Sequence, residues 1–280
     1  MIKKIKKYLH DIRISIFNMS RNSDIQTRLL QEIYLTQLEA STKNKAMHFE
    51  AQVFSQNGED GITREIMSAI GADSKYFLEI GVDPLVNNTL YLLYEGWKGV
   101  WIDAGMLTKQ FPSYLQEKIV DGTLNVINSF VTKDNILKVL ENNGVPKNID
   151  VISIDIDFNT FYIWQALGEI KAPLVIVEYN ASLPKDISWR VDYDLNGEWK
   201  GGNYFGASLK AFCELAEQID YTLIYCEMSG TNAFFVRNDL VEKLPVDFKR
   251  GLDNYQPARY FLGRTFGHER EIGRFTIKGN

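Results

Sequence analysis

The sequence is short of several things that would mark a function class. Its 280 residues hold only two cysteines, Cys213 and Cys226, too few for a disulfide framework; two buried thiols in a reducing compartment are expected. The three histidines, His10, His48 and His268, lie far apart and form no His/Cys cluster with zinc-ligand spacing. No run of about 18 apolar residues exists to cross a membrane. The opening MIKKIKK mimics the basic start of a secretory signal, but His10, Asp11 and Arg13 interrupt the apolar stretch that would have to follow. A cytoplasmic location is expected. Internal repeats and low-complexity tracts are absent. With 45% hydrophobic and 24% charged residues, the composition suits a globular protein with a sizeable core and excludes dominant disorder.

The net charge of −5 is uneven. Residues 1–28 hold seven Lys/Arg against two acids and carry +5, which leaves −10 on the rest. An acidic main domain is a poor nucleic-acid binder, and no such partner is expected. Ile2, Ile5, Leu9, Ile12, Ile16 and Met19 follow one another at spacings of 3, 4, 3, 4 and 3, a heptad seam. It is expected to end at Ser20–Ser23, where Ser23 and Gln26 make a capping box for a second helix over 24–40. Residues 1–45 thus read as a basic amphipathic helical arm and 46–280 as the main domain. Through residues 1–40 the arm suits packing on the body, contact with another subunit in a homo-oligomer, or an anionic membrane surface.

From residue 50 short apolar runs alternate with helical patterns. Strands are expected at 76–80, 99–103, 124–127, 150–155, 174–178, 222–225 and 232–236. Helices are expected at 59–70, 88–95, 108–120, 133–143, 161–168 and 206–218. The fold class is α/β, with a mostly parallel seven-stranded sheet covered on both faces. Only Glu227–Thr231 separates the last two strands, too little for a parallel crossover, so the last strand should be antiparallel. Residues 181–205 and 240–280 suit active-site loops.

Ligands of such sheets bind beyond the carboxyl ends of the strands. Four strands there deliver acids: Glu79 and Asp83, then Asp103, then Asp155 and Asp157, then Glu178, which is followed by Tyr179 and Asn180. Each acid alone also reads as a helix cap or turn residue. Asn88 or Thr89 suits the cap of the following helix. The turn Gly81–Asn88 holds one glycine and a proline and is not GxGxxG, which disfavours a dinucleotide. Asp103 stands 22 residues after Gly81, a spacing at which an acid meets a ribose diol.

Several stretches resemble the FkbM-like branch of class I S-adenosylmethionine-dependent methyltransferases of bacterial sugar and polysaccharide clusters. They are Ser55–Gly61, Phe77–Gly81, Asn87–Leu93, Gly96–Asp103, Asp155–Asp157, Val177–Asn180, Tyr204–Leu209 and Asn232–Val236. That resemblance implies a Rossmann-like fold and O-methylation of a sugar hydroxyl, in a surface polysaccharide or its nucleotide-linked precursor. It implies S-adenosylmethionine contacts from Gln56, Gly58, Glu79, Gly81, Asp83, Thr89, Asp103, Ala104, Ser129, Phe130 and Asp155. It further implies Mg²⁺ held by Asp155, Glu178 and Asn180, with Asp157 as general base. Asp157 also reads as a cap for the next helix, and Asp155 as a cofactor-positioning group without metal. His268 is an alternative base or phosphate contact, and Tyr179, Asn180 and Tyr204 are candidate substrate contacts. The chain departs from the family in its Asp83-Pro84 loop. Two other classes stay open: a non-catalytic scaffold of the same fold, and a nucleotide-sugar-processing Rossmann enzyme.

Overall fold

Nothing between Ile2 and Ser41 stops a helix, since the stretch holds neither glycine nor proline. In the computed structural model, which describes residues 2–41 and 45–263, this stretch is one helix, α1 (Ile2–Ser41). It is about 60 Å long at 1.5 Å per residue. The expected break at Ser20–Ser23 is absent, and Ser23 lies in mid-helix instead of at a cap. A serine costs a helix interior only a few tenths of a kcal/mol (~0.5), too little to stop it without a following turn. Among the seam positions Ile12 and Met19 are exposed. The side chains of Ile2, Ile5, Leu9, His10 and Ile16 lie outside the described residues. α1 belongs to one unit of the chain and the sheet to another. No described helix is long and apolar enough to cross a membrane.

The strands β1 (Tyr76–Ile80), β2 (Lys98–Asp103), β3 (Leu124–Asn128), β4 (Val151–Ile154), β5 (Leu174–Glu178), β6 (Tyr221–Cys226) and β7 (Asn232–Arg237) form one sheet. Its order is β3-β2-β1-β4-β5-β7-β6. β1 to β5 pair in parallel, and β7 is antiparallel to both β5 and β6. The short β6–β7 connection is held by one carboxylate. Glu227 accepts the N–H of Ser229 (2.6 Å), Asn232 (3.0 Å) and Thr231, and the Ser229 hydroxyl (2.8 Å).

The connecting helices are α2 (Glu59–Ile70), α3 (Leu90–Tyr94), α4 (Ser113–Val120), α5 (Ile136–Asn142), α6 (Thr160–Ala166) and α7 (Leu209–Gln218). Several start later than the pattern suggests, for local reasons. Pro112 precedes α4, and the Ser208 side chain accepts the Ala211 N–H at the start of α7 (3.3 Å). Strand alternation places Leu78, Ile80, Val100, Ile102, Ile152 and Val175 in one apolar cluster with α5, α6 and α7. Trp164 anchors it, with ring centroids 4.8 Å from Phe235 and 5.9 Å from Phe212. The alternate residues Glu79, Trp101 and Ser153 face the turn before α3, where Thr89 and Asn88 bond to them.

At the opposite end of the sheet, fully buried Asp150 ties the chain into β1. It accepts the N–H of Asp73 (3.0 Å), Ser74 (2.9 Å) and Lys75 (2.6 Å), and the Ser74 hydroxyl (2.7 Å). Asp150→Ala leaves these donors unpaired. It should lower the unfolding free energy by about 2–4 kcal/mol in urea titration; a loss near zero would refute this role.

Candidate functional site

β2 and β3 lie on one side of β1, whereas β4 and β5 lie on the other. Where strand order switches direction, the loops part and leave a crevice at the carboxyl ends. The sheet therefore brings the ends of β2, β1, β4 and β5 side by side, and with them Asp103, Gly81, Asp155 and Glu178.

Gly81 sets the depth of this crevice. Its φ is +80°, and a Cβ there would stand 1.6 Å from the Asp155 carbonyl oxygen, so only glycine fits. The Gly81 N–H donates to the Ile102 carbonyl (2.9 Å), and the Asp155 N–H donates to the Ile80 carbonyl (2.8 Å). Two residues on, Asp157 has φ +59°, and the Phe158 N–H closes a tight turn on the Ile156 carbonyl (2.6 Å). A non-glycine residue held in this conformation stores about 1 kcal/mol or more of strain, a feature that clusters at functional sites. Asp157 does not cap the next helix, whose N-cap is Asn159.

A cavity of about 220 Å³ opens onto this point. Gly81, Asp103, Ala104, Ser129 and Phe130 line it, with Asp155 and Asp157 in its wall. The Asp103 carboxylate accepts the N–H of Val82 (3.2 Å) and Gly105 (2.6 Å) and pairs with Lys109 (3.0 Å). It stays partly exposed, with acceptor capacity to spare. Asn159 also lines this cavity; its Nδ2 donates to the Asp194 carbonyl (2.8 Å), and its Oδ1 has no partner. Lys109, Asn159 and Gly197 were not anticipated, because no local motif ties them to the strand ends.

A second cavity of about 510 Å³ adjoins the first through the same two residues. Asp155 and Asp157 line it together with Gln56, Glu178, Trp199, Phe205 and Tyr260. The carboxylates of Asp155, Asp157 and Glu178 each bring an oxygen within 4.8 Å of the others. A third cavity, of about 460 Å³, holds Phe158, Tyr193 and exposed Tyr204, with Asp192, Asp194, Glu198 and Lys200. Among the described residues, no Lys or Arg lines the second cavity.

Other candidate residues prove to hold the framework. Asn180 lines none of these three cavities. It is fully buried, with Nδ2 donating to the Asn203 (2.8 Å) and Phe205 (2.9 Å) carbonyls and Oδ1 accepting the Ser182 N–H (3.1 Å). Its amide fastens the loop above β5, with both Nδ2 hydrogens spent on that loop. Tyr179 is likewise buried, its hydroxyl donating to the Gln256 carbonyl (2.6 Å), and it lines none of these three cavities. Thr89 does not cap α3 with its side chain. Asn87 accepts the N–H of Leu90 (2.8 Å) and Thr89 (3.1 Å) instead, while the Thr89 hydroxyl donates to Glu79. Glu79 is buried and fastens the turn, accepting the Asn88 (2.9 Å) and Thr89 (3.1 Å) N–H groups. Asp83 folds back on its own loop to accept from Leu85 (2.9 Å) and Val86 (3.2 Å). Gly58, at φ +124°, precedes α2 and donates its N–H to Glu59 (2.9 Å). His48 is exposed and donates a ring N–H to the Lys45 carbonyl. His268 lies outside the described residues. Cys226 is buried, Cys213 is half-buried, and both thiols are free.

Burial dominates the electrostatics. It pushes the Asp155 carboxyl up to about 6, helped by the charge on Asp157. Glu178 is raised well above the usual carboxylate range, first by burial and then by Asp155 and Asp157. Burial also raises Asp157. Behind the site, burial lifts Glu50 and Glu79 to about 8 and Glu227 to about 7. These acids keep protons in the fold that the unfolded chain releases above pH 4.5. Stability is therefore fully present below that pH and is lost as pH rises through the folded values, by on the order of 1.4 kcal/mol per pH unit for each retained proton. The melting temperature should fall between pH 5.5 and 8.5. Oε1 of Glu50 takes both Tyr225 Oη–H (2.7 Å) and Met228 N–H (2.8 Å), so a glutamine fits the site. Glu50→Gln should flatten the fall, and an unchanged slope in pH-dependent calorimetry would exclude Glu50 as a contributor.

No protein-family model matches the sequence, and no curated protein matches it. Among solved structures, the mitomycin 7-O-methyltransferase MmcR aligns at 15% identity with a TM-score of 0.37. That alignment covers 64% of this chain and spans about half, 55%, of the mitomycin enzyme. An S-adenosylmethionine-dependent methyltransferase from Clostridium acetobutylicum ATCC 824 aligns at 9% identity with a TM-score of 0.39, over 75% of this chain and 98% of its own. Similarity at this level leaves the functional reading to the site itself.

Proposed function

We propose that the chain is an S-adenosylmethionine-dependent O-methyltransferase that acts on a carbohydrate hydroxyl. The observation that carries this reading is the wall of Asp155 and Asp157. On one side lies the cavity of Gly81, Asp103, Ala104, Ser129 and Phe130; on the other lies a larger one with carboxylates and aromatic rings. The first suits an adenosine: Asp103 offers acceptors to ribose hydroxyls, the half-exposed Phe130 ring offers a face to a purine, and the unpartnered Asn159 Oδ1 offers an acceptor to an exocyclic amine. When bound, S-adenosylmethionine would supply a sulfonium methyl to an oxygen in line with the breaking S–CH3 bond, with S-adenosylhomocysteine as the leaving thioether.

The residues between the cavities would do the rest. A sugar hydroxyl is a weak nucleophile, and its proton must leave as the new bond forms. Asp157, whose carboxyl burial raises above its ordinary value, is the general base in this reading. Trp199, Phe205 and Tyr260 offer apolar faces for a sugar ring. Beside that base, Asp155 and Glu178 are hard-oxygen donors for Mg²⁺, and Glu178 Oε2 has no hydrogen-bond partner inside the protein. A divalent cation there would replace the protons that burial otherwise retains and would lower the pKa of a coordinated hydroxyl. An acceptor cavity without Lys or Arg among its described residues favours a neutral glycan of a surface polysaccharide over a nucleotide-linked precursor. For α1, the exposed Ile12, Met19, Leu30 and Ile33 share one heptad register, interrupted by Ser23 and Gln26, and a second copy of the chain is its proposed partner, with an anionic membrane as the other outcome.

Asp157→Asn should cut turnover at least 10³-fold while S-adenosylhomocysteine binding by calorimetry stays within about threefold. Retained turnover removes Asp157 as the base, and a wild-type chain that gives no heat with millimolar S-adenosylhomocysteine removes the methyltransferase reading. Chelation should slow the reaction and added Mg²⁺ restore it; a rate indifferent to both removes the cation.

A further inference from the structure

A second small cavity, of about 30 Å³, lies against the crevice and shares Gly81 and Asp155 with the adenosine cavity. Gln56, Glu79, Val86, Asn87, Asn88 and Asn232 complete its walls. This volume holds one small polar group, on the scale of a water or an ammonium head. Two carboxyl groups line it, and among the described residues no Lys or Arg does.

Asn232 opens β7 opposite Glu178 and is only 3% exposed. Its N–H donates to Glu227 (3.0 Å), and its Nδ2 donates to Glu59 Oε1 (2.7 Å). The Glu59 carboxylate is itself saturated with donors: Asn57 Nδ2 at Oε1 (3.1 Å), and the N–H groups of Asn57 (2.8 Å) and Gly58 (2.9 Å) at Oε2. A flipped amide would set two acceptors against each other, so the orientation of Asn232 is determined by its surroundings. Its Oδ1 is left without any donor. A buried acceptor without a donor costs on the order of 1–3 kcal/mol, a cost that a ligand donor removes.

We infer that Asn232 receives the α-ammonium of the donor ligand's amino-acid end, a binding role that the resemblance does not give to this residue. This rests on the reading of the crevice as an S-adenosylmethionine site. An ammonium meets an amide oxygen and an acidic surround in the small cavity, whereas a carboxylate placed there meets like charge.

The test is isothermal titration of the full chain with three ligands. These are S-adenosylhomocysteine, its desamino analogue in which hydrogen replaces the amine, and 5′-methylthioadenosine, which lacks the amino-acid end. The wild-type chain should bind S-adenosylhomocysteine about tenfold or more tighter than the desamino analogue, the worth of one charge-assisted hydrogen bond. Asn232→Leu should erase most of that difference and leave methylthioadenosine within about twofold. Equal wild-type affinity for the parent and desamino ligands overturns the proposal whether or not the variant folds. A variant that loses methylthioadenosine as much as S-adenosylhomocysteine shows a structural role instead. Failure of all three ligands to bind the wild type overturns the methyltransferase reading and this inference with it.

Discussion

The backbone approach between Gly81 and Asp155 is the constraint from which the rest of the site follows. With φ at +80° and no room for a Cβ, the chain leaving β1 turns directly beneath the end of β4. That turn leaves space above it, and Asp103 from β2 and Ser129 and Phe130 beyond β3 reach the same space because their strands run parallel and in step. A side chain at position 81 would push β1 and β4 apart and would fill the crevice at once. Glu79, Asn87 and Thr89 serve the same end, since their hydrogen bonds hold the loop after Gly81 away from the opening.

A second consequence is the crowding of acids. Parallel strands all point their carboxyl ends to one edge, so acids at those ends become neighbours through topology alone. Burial then makes their charges costly, and protons or hydrogen bonds must compensate. Glu227 and Asp150 are satisfied by backbone N–H groups, whereas Glu178 and Asn232 each retain an oxygen with no donor.

Much of the fold was legible along the chain. Short apolar runs alternating with helical patterns mark every strand of the sheet, and the five residues between Cys226 and Asn232 dictate that β7 runs antiparallel. Gly81 and Asp103 were legible as strand-end residues because parallel strands share one edge, whereas Ala104, Ser129 and Phe130 came from the family resemblance; all five line one cavity. Errors arose where burial or partners, rather than residue type, settle the outcome. Asn180 and Tyr179 sit in the right stretch but turn inward to hold loops. Ser23 suits a cap yet lies within α1, because nothing in its surroundings offers the chain a turn.

What the sequence determined by itself was periodicity: which segments become strands, which become helices, and which residue ends each strand. These follow from local patterns of apolar side chains and from the short reach of a few linking residues. Tertiary structure alone decided which polar groups are spent and which remain free. Asn232 is 173 residues from Glu59, and only the tertiary approach of the start of α2 to the start of β7 brings their side chains together and leaves one amide oxygen without a donor. A hydrogen bond acts over about 3 Å in space whatever the separation along the chain, so no reading of neighbours in sequence reveals it.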